Sequence, residues 1–448
     1  MIISQNDNKL NMNFKFTDKK ISNNVAFTYF ENFKQNIGFL EHLNRVVTCK
    51  KHHNSKYSTQ TIIDYTIDSI ILGYSRFSHM NQLKNDPAYQ SIKGFSLPDE
   101  KVCRNFLKDS DETTVSQLRE LNRKVLELKS QNEEVKEVIL DFDDTVCHIF
   151  GHQEGSGVGY NPKYHGRPSY KVKVGMLSIT NELLDVTLES GIHHSNYNFL
   201  EFLKDCIANL PSGWIVKRIR ADRGMFDEKT FIYLEDNSIE YVVKAKKYNS
   251  LKLEIEKLLE KYPDEKWHSI NSTYSFAEMN YALPTWERSR RFIIIRKAVS
   301  KKQKDLNKLK LFSHDYEYQA IVTNVEYLTP AEVFKDYNKR CNIENNIDHL
   351  KDGYYFSENS LANKIANEAF LILKMIAYNI QNWFQSVVFP DELKNKEIGT
   401  LRRIFYKIPG IISGSDRYKH IKFAKNTMLE KILQTVTCAL QRFKLLKS

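Results

Sequence analysis

The segment EVILDFDDTVCHIF (residues 137–150) joins a short apolar run to a cluster of carboxylates. The run VIL (138–140) is β-branched or aliphatic, which is typical of a buried β-strand. Three aspartates follow within four residues: Asp141, Asp143 and Asp144. Like charges at such spacing repel one another, so a cluster of this kind usually binds a metal ion or shares a proton. The segment therefore indicates a reactive centre at the end of a core strand, although a polar turn explains it equally well.

Two classes of enzyme place acids after a strand in this way. In a phosphatase of the haloacid dehalogenase type, the strand ends in D-x-D-x-T, so Asp141 would be the nucleophile and Asp143 the acid/base. In a two-metal nuclease or transposase of the ribonuclease H-like fold, the first strand carries one metal-binding Asp. The segment alone does not separate the two classes, and the rest of the chain has to decide.

The composition indicates a globular and basic protein. The 448 residues are enough for two to four domains, and 41% of them are hydrophobic. The net charge of +11 favours a polyanionic partner, either nucleic acid or a membrane surface. The sequence contains no run of 18 apolar residues, and its six cysteines lie far apart without a C-x-x-C pair. We therefore expect no membrane span, no zinc site and reduced thiols.

From residue 137 onward, strand-like and helix-like segments alternate. After the first strand we predict a hairpin, a helix, a strand, a helix and a strand, at 171–190, 195–210, 216–224, 227–237 and 240–247. This order predicts an α/β fold with one mixed sheet, and it is the order of the ribonuclease H-like fold. Further strand-like pieces interrupt it at 248–328, where we predict an inserted β-rich domain.

The segment TPAEVFKDYNKRCNIENNIDHLKDG (329–353) predicts the helix that follows the interruption. Thr329 and Glu332 form a capping box, and proline stands at the first helical position. At about 100° per residue, four side chains of this helix lie within an arc of roughly 60°. These four are Tyr337, Arg340, Glu344 and Lys351. Their charges alone fit an ordinary salt-bridged surface.

The spacing of these four residues resembles the Tyr-Arg-Glu-Lys motif of bacterial insertion-sequence transposases, which are DDE transposases with a ribonuclease H-like core. Further segments look like those of one such group in the same order, namely DFDDTVCHIFGHQEGSGVGYNPKYHGRPSY, IRADRGMF, ENNIDHLKDGYYF and AYNIQNWF. The phosphatase alternative leaves the helix, the basic charge and the helical N-terminal region unexplained. A non-catalytic DNA-binding protein derived from a transposase is a third alternative. The presence of all three acids described next argues against it.

The resemblance implies that Asp143, Asp222 and Glu344 are the catalytic residues. In the family the first Asp begins a D-[ST]-T-like triplet, here DDT starting at Asp143, and the second follows the fourth strand, as Asp222 does in RADRG. Asp144 replaces the usual small hydroxyl residue, which leaves Asp141 and Asp144 as alternatives for the first position. The three carboxylates would hold two Mg²⁺ ions, or Mn²⁺ in their place, because these cations prefer oxygen ligands.

Six further residues are candidate DNA contacts: Tyr337, Arg340, Lys351, Trp286, Lys163 and Arg167. The first three resemble family residues that hold phosphates beside the cleaved end, for which Arg and Lys are suited. The tryptophan resembles an aromatic that stacks on a flipped base in related transposases, although a core tryptophan is the alternative. The last two lie in a Gly-rich loop after the first strand, which is either near a DNA backbone or a long solvated hairpin.

The resemblance implies cut-and-paste transposition: binding of transposon ends, metal-dependent nicking and strand transfer. The implied partners are double-stranded DNA, as terminal inverted repeats and as target, and a second copy of the chain in a synaptic homodimer. No membrane is involved, and the implied location is bacterial, cytoplasmic and nucleoid-associated.

The sequence also predicts how the chain is divided. Helical segments between residues 58 and 131 suit a helix-turn-helix-like module or a plain bundle, whereas residues 1–57 are polar with few periodic signals. We predict a helical N-terminal DNA-binding domain (1–135), a first part of the core (136–247), the inserted domain (248–328), a second part with the catalytic helix (329–390) and a basic C-terminal region (391–448).

Overall fold

A mixed β-sheet forms the centre of the molecule. The computed structural model describes residues 15–49, 55–131, 134, 137–161, 163–261, 267–269, 273–298, 316–414 and 419–445. Among these residues, ten strands belong to the central sheet and three to a small second sheet. The strands are β1 (Lys20–Ser22), β2 (Glu137–His148), β3 (Gly157–Val158), β4 (Pro168–Leu177), β5 (Leu183–Ser190), β6 (Ile215–Ala221), β7 (Glu240–Lys244), β8 (His268–Ser269), β9 (Tyr274–Tyr281), β10 (Arg290–Ala298), β11 (Tyr316–Thr323), β12 (Gly410–Gly414) and β13 (Lys419–Phe423).

Helices lie before, between and after the strands. They are α1 (Thr28–Asn36), α2 (Phe39–Val46), α3 (Thr59–Leu72), α4 (Phe77–Lys84), α5 (Pro87–Lys93), α6 (Glu100–Lys108), α7 (Glu112–Ser130), α8 (Phe199–Ala208), α9 (Glu228–Asp236), α10 (Asn249–Lys261), α11 (Pro330–Lys339), α12 (Cys341–Tyr354), α13 (Lys364–Val388), α14 (Asp391–Lys394), α15 (Ile398–Leu401) and α16 (Thr427–Leu445). Within the described part of the chain, no helix combines the length and the apolar character needed to cross a bilayer.

The central strands have the predicted order. β2, β4 and β5 are antiparallel neighbours, whereas β6 and β7 run parallel to β2 on its other side. Helix α8 connects β5 to β6, and α9 connects β6 to β7. Parallel neighbours require such crossover helices, which explains why the periodicity alternates along this part of the sequence. The predicted α/β class is confirmed, and the strands have the order that was predicted for a ribonuclease H-like core.

The segment 248–328 supplies strands, but they continue the central sheet instead of forming a separate one. β11 pairs antiparallel with β7, and β10, β9 and β8 follow in turn. Phe292 and Ile294 pack in the same core as Leu140 and Ile219. Pairing with β11 also covers the hydrogen-bonding edge that β7 would otherwise expose. The inserted segment is therefore an extension of the core and not a separately packed domain.

The helical N-terminal region shares one hydrophobic core with the sheet and the C-terminal helices. Phe30 of α1, Val125 of α7, Val172 of β4, Ile376 of α13 and Val436 of α16 all belong to it. The predicted boundaries near 135 and 390 therefore do not separate independent cores. Helix α3 is buried along almost its whole length, so it cannot serve as a recognition helix in a DNA groove. A DNA-binding role for the other N-terminal helices stays a prediction.

Residues 15–49 contain two helices where few periodic signals were expected. Phe27, Phe30 and Phe33 are fully buried, and Phe39 and Leu43 continue the buried face. The apolar positions recur every three or four residues, as an amphipathic helix requires. The expectation of an irregular start was wrong because the many Asn and Lys residues between these positions dominate the composition.

Candidate active site

The residues of the Tyr-Arg-Glu-Lys pattern lie on two consecutive helices. The capping box is confirmed. The Thr329 hydroxyl accepts a hydrogen bond from the Glu332 amide, and the Glu332 carboxylate accepts one from the Thr329 amide. The predicted single helix is interrupted at Arg340, whose amide bonds to the Tyr337 carbonyl three residues back at 3.0 Å. A tightened turn of this kind often marks a functional position. The turn places Tyr337 at the end of α11 and Glu344 in the first turn of α12.

Arg340 joins two of the predicted catalytic carboxylates. Its Nη1 donates to Asp143 Oδ2 at 2.9 Å, and its Nη2 donates to Glu344 Oε1 at 2.5 Å. The planar fork of a guanidinium suits such bridging. Burial raises the pKa of Asp143 to about 6 even though the Arg340 charge opposes this shift. Asp143 and Glu344, from a strand and a helix 201 positions apart, therefore meet at one cation.

Tyr337 connects the third predicted acid to the same group. Asp222 follows β6, and its Oδ1 accepts a hydrogen bond from the Tyr337 hydroxyl at 3.2 Å. The Tyr337 ring also lies 5.5 Å from the Arg340 guanidinium. We call Asp143, Asp222 and Glu344 the acidic centre. The structure thus brings together the three acids, Tyr337 and Arg340, which come from β2, the end of β6, and the two helices α11 and α12 with the turn between them.

Asp141, one of the alternatives for the first catalytic acid, lies in a buried ion pair. Arg220 of β6 donates to both of its oxygens, at 2.7 and 2.8 Å, and Asp141 is only 2% exposed. The register pairs Asp141 with Arg220 across the parallel strands. A covalent nucleophile needs an open approach for its substrate. Asp141 does not have one, so the geometry argues against the phosphatase mechanism.

Asp144, the other alternative, points to the opposite face of β2, as the period of a strand requires. Its Oδ2 is buried and accepts no hydrogen bond from the described residues, and Lys171 Nζ lies 3.8 Å away. Asp144 also lines a groove together with Asp222. Burying an oxygen without a hydrogen bond is costly, so this carboxylate is available to a ligand that enters the groove.

The groove beside the acidic centre is strongly basic. Its cationic side chains come from four parts of the chain: Lys163, Lys171, Arg223, Lys246, Lys247 and Lys351. We call it the basic groove. Such a concentration of positive charge favours a polyanion. Two of the predicted DNA contacts, Lys163 and Lys351, are therefore placed together beside Asp222, on the wall of one groove.

The remaining predicted contacts lie elsewhere. Trp286 is partly buried, with its ring 5.0 Å from that of Phe226 and 4.8 Å from the Arg290 guanidinium. It lines a different groove, which includes Tyr248. Arg167 lies in the loop after β2, where its guanidinium covers the ring of Phe150 at 4.6 Å. The structure brings neither residue into the wall of the basic groove.

The acidic centre offers three carboxylates, which are the type of ligand that Mg²⁺ prefers. Arg340, however, lies between two of them. Among the described residues, the acids whose ligand atoms lie within 4.8 Å of one another are Glu31, Asp64 and Asp68. That cluster is already paired with two buried lysines, Lys34 and Lys93. A buried network compensated in this way is structural.

Sequence reasoning missed Arg220, which pairs with Asp141, and Lys171, which lies 3.8 Å from Asp144. Arg220 has a usable signal, because a charged residue within a buried strand requires a buried partner. Lys171 alternates with Lys173 in KVKVG, a pattern that also fits a strand with one solvated face. Only the pairing of β4 with β2, which sets Lys173 opposite Asp144, shows that these lysines lie on the same face of the sheet as Asp144.

Comparisons with known proteins indicate the family of this chain. The model of the family "Transposase DDE domain group 1" matches residues 4–445. Among solved structures, the chain is similar to the piggyBac transposase synaptic complex with hairpin DNA, at 11% identity over 85% of this chain and 79% of that one, with a TM-score of 0.41. It is also similar to the Drosophila P element transposase strand transfer complex, at 14% identity over 51% and 50%, with a TM-score of 0.25.

Those TM-scores are too low to carry an argument about this chain. None of the curated proteins matches it. The family model, in contrast, spans almost the whole chain and includes every residue of the acidic centre. The chain belongs to the transposase DDE domain group 1 family and is a DDE transposase.

Proposed function

We propose that this transposase nicks DNA at transposon ends and then transfers the freed 3′-hydroxyl into target DNA, with Asp143, Asp222 and Glu344 as its catalytic residues. One observation carries the proposal: Tyr337 and Arg340 link these three acids into one cluster beside the basic groove. The acids come from the middle of β2, the residue directly after β6 and the first turn of α12. These three positions are far apart in sequence, and the fold brings their side chains together.

The acidic centre would hold two Mg²⁺ ions, or Mn²⁺ in their place. Bound there, the ions supply activation of the attacking oxygen and stabilisation of the leaving oxygen in phosphodiester cleavage. The role of the protein side chains is orientation. Tyr337 fixes the Asp222 carboxylate, while Arg340 holds Asp143 and Glu344.

The arginine also provides a link between DNA binding and the acidic centre. A phosphate group competes well for a guanidinium, because it accepts two parallel hydrogen bonds as a carboxylate does. When a DNA phosphate takes Arg340, the carboxylates of Asp143 and Glu344 become free for cations. Lys163 and Lys351 contact the DNA backbone from the groove wall in this proposal, and salt weakens their contribution.

The proposed partners are double-stranded DNA, as terminal inverted repeats and target, and a second copy of the chain. Support for DNA comes from the basic groove and from the net charge of +11. A homodimer is proposed because transposition has to hold two transposon ends together. The proposal also places the protein in the cytoplasm, associated with the nucleoid, where its DNA substrate lies.

Glu344→Gln tests the assignment of the acidic centre. We expect nicking of a plasmid that carries the terminal repeat to fall to background in Mg²⁺, because the variant loses a charged ligand. Binding of the same DNA should change little, since phosphate contacts by Lys and Arg supply most of the affinity. The measurements are 3′-hydroxyl production and equilibrium binding at one salt concentration. The Glu344 side chain is 55% exposed, so the fold should be unaffected.

Asp352→Asn is a matched control, because it removes one exposed carboxylate from the same helix α12. It should nick DNA at the wild-type rate. Wild-type nicking by Glu344→Gln would remove Glu344 from the acidic centre.

Arg340→Ala tests the phosphate contact. We expect slower nicking, and a slope of log K against log salt that is smaller in magnitude by about one, because one phosphate contact is lost. Arg340→Lys should preserve the slope yet nick slowly, since an ammonium cannot make the forked contact. Titrations at several salt concentrations measure both. An unchanged slope with unchanged nicking in Arg340→Ala would assign Arg340 to a structural salt bridge.

A further inference from the structure

The last turn of α12 is held by side chains that lie outside the acidic centre. Tyr355, which directly follows α12, adopts a left-handed backbone conformation with a φ of 61°. This conformation is uncommon for a bulky residue, and it persists only where the surrounding structure fixes it. Two buried cations contact this turn, namely Lys374 of α13 and Arg402, which directly follows α15. We call Tyr355, Lys374 and Arg402 the helix anchor.

Lys374 binds the backbone just beyond the end of α12. Its Nζ donates to the Tyr355 carbonyl at 2.7 Å and to the Glu358 carbonyl at 2.8 Å. A cation at the C-terminal end of a helix is stabilising, because the helix dipole is negative there. Lys374 is only 1% exposed, so it holds this backbone from a position that DNA cannot reach.

Arg402 joins the ends of two helices. Its Nη2 donates to the Gly353 carbonyl of α12 at 2.7 Å and to the Ile70 carbonyl of α3 at 2.8 Å. Its Nε donates to the Ile71 carbonyl at 2.7 Å. These carbonyls lie in the last turns of their helices, where the regular helical bonds end. One buried guanidinium therefore caps α12 and α3 together.

The segment around α15 also packs directly against α12. A Cβ at Gly353 would lie 2.5 Å from Ile398 Cγ2, so this close approach requires glycine. The Ile398 amide donates to His349 Nε2 at 3.1 Å. Arg402 begins a π-helical turn, Arg402–Tyr406, a rare geometry that is frequent at functional sites. The C-terminal region thus contacts two successive turns of the helix that carries Glu344.

The anchored turn also carries a side chain of the basic groove. Lys351 lies in the last turn of α12 and lines the groove together with Asp222. It precedes Tyr355 by four residues, which is about one helical turn. A shift of the anchored turn would therefore move Lys351 relative to the acidic centre. A displacement of about 1 Å far from the reacting atoms can cost about a hundredfold in rate.

We propose that Lys374 and Arg402 are positioning residues, which hold the last turn of α12 so that Lys351 meets a DNA phosphate in the basic groove. This inference rests on the proposed function, because it takes Lys351 as a phosphate contact. Neither buried cation touches DNA. The salt dependence of DNA binding counts the cations that neutralise phosphates, so removal of Lys374 can change it only through an exposed cation such as Lys351.

The first experiment is a double-mutant cycle between Lys374 and Lys351. Binding of a blunt-ended DNA duplex is measured in EDTA at several salt concentrations, for the wild type, Lys374→Met, Lys351→Ala and the double variant. Lys351→Ala should lower the magnitude of the slope of log K against log salt by about one. Lys374→Met should lower it by a similar amount. The double variant should also lose about one and not two, because both changes remove the same contact.

A purely structural role of Lys374 predicts a different result. Lys374→Met would then lower the free energy of unfolding in urea but leave the salt slope of the folded protein unchanged. Lys394→Met is the matched control, because this lysine of α14 pairs with Asp391 and does not line the basic groove. It should keep the wild-type slope.

The cycle separates failure of the inference from failure of the proposed function. A wild-type slope in Lys374→Met, with a reduced slope in Lys351→Ala, would overturn the inference and leave the proposed DNA contact standing. A wild-type slope in both variants would remove Lys351 from the DNA-binding surface, and the inference would fall with that contact.

Tyr355→Phe tests the helix anchor without changing a charge. It removes a hydroxyl that donates to the Gly73 carbonyl at 3.1 Å and accepts from Arg402 Nη1 at 3.3 Å. We expect Mg²⁺-dependent nicking to slow by about two- to thirtyfold, the range for residues that act on a site through packing. In the Lys351→Ala background the same change should have little further effect. If Lys374→Met does not fold and Tyr355→Phe nicks DNA at the wild-type rate, the helix anchor is structural only and the inference is wrong.

Discussion

Asp143→Asn is expected to reduce Mg²⁺-dependent nicking by more than about a hundredfold. Loss of a residue that only orients a metal ligand already costs about 10- to 100-fold, so the loss of a ligand itself should exceed that range. Asn is isosteric with Asp and can still accept a hydrogen bond from Arg340, which preserves the local packing. The measurement is single-turnover release of 3′-hydroxyl ends from a terminal-repeat duplex.

Asp144→Asn provides the comparison that assigns the first acid. Asp143 contacts Arg340 and through it Glu344, whereas Asp144 faces Lys171 on the other side of β2. We therefore expect Asp144→Asn to nick DNA much faster than Asp143→Asn. The reverse order would make Asp144 the first catalytic acid and Asp143 its neighbour.

Asp141→Asn is expected to act on stability instead of chemistry. The change leaves the Arg220 guanidinium, which is 1% exposed, facing a neutral amide. Removal of one partner from a buried ion pair lowers the free energy of unfolding by about 3–5 kcal/mol. Urea unfolding followed by circular dichroism measures this loss. Nicking should fall only as far as the folded fraction falls, because Asp141 supports β2 and β6 from within the sheet.

Glu137→Gln is the control on the same strand. Glu137 pairs with Lys217 at 3.3 Å, but both side chains are largely exposed, and an exposed pair contributes about 1 kcal/mol or less. A small phosphate ester completes the test. If wild type hydrolyses it and Asp141→Asn does not, while the stability of the variant is unchanged, Asp141 is a nucleophile after all.

Local signals predicted much of this molecule. The switch of periodicity after residue 137 predicted the order of the core, because a strand and a helix bury apolar residues with different periods. The capping box at Thr329 predicted the start of α11 to the residue. The interruption at Arg340 could not be predicted, since no proline or glycine stands there and the contact of Arg340 with Asp143 is 197 residues away in sequence.

Other features depend on pairing that no local signal encodes. The strand RRFIIIRKA (290–298) is apolar at successive positions, and Ile293 and Ile294 are both fully buried, on opposite faces of the sheet. Such a strand has to lie inside a covered sheet, yet its sequence does not say which sheet. The acidic centre is similar: the aspartates were visible in sequence, whereas their contacts with Arg340 and Tyr337 required the three-dimensional arrangement.

The core shared by the two ends of the chain has a consequence for synthesis. Phe33 packs against Phe443 with ring centroids 5.4 Å apart, and the Tyr29 hydroxyl lies 3.4 Å from that of Thr437. A ribosome adds about 5–20 residues per second, so α1 waits for roughly 20 to 80 seconds before α16 emerges. Until then the apolar face of α1 lacks this cover and is a target for chaperones. A chain that stops before α16 would leave this face of α1 uncovered, so we expect it to be less stable than the full chain.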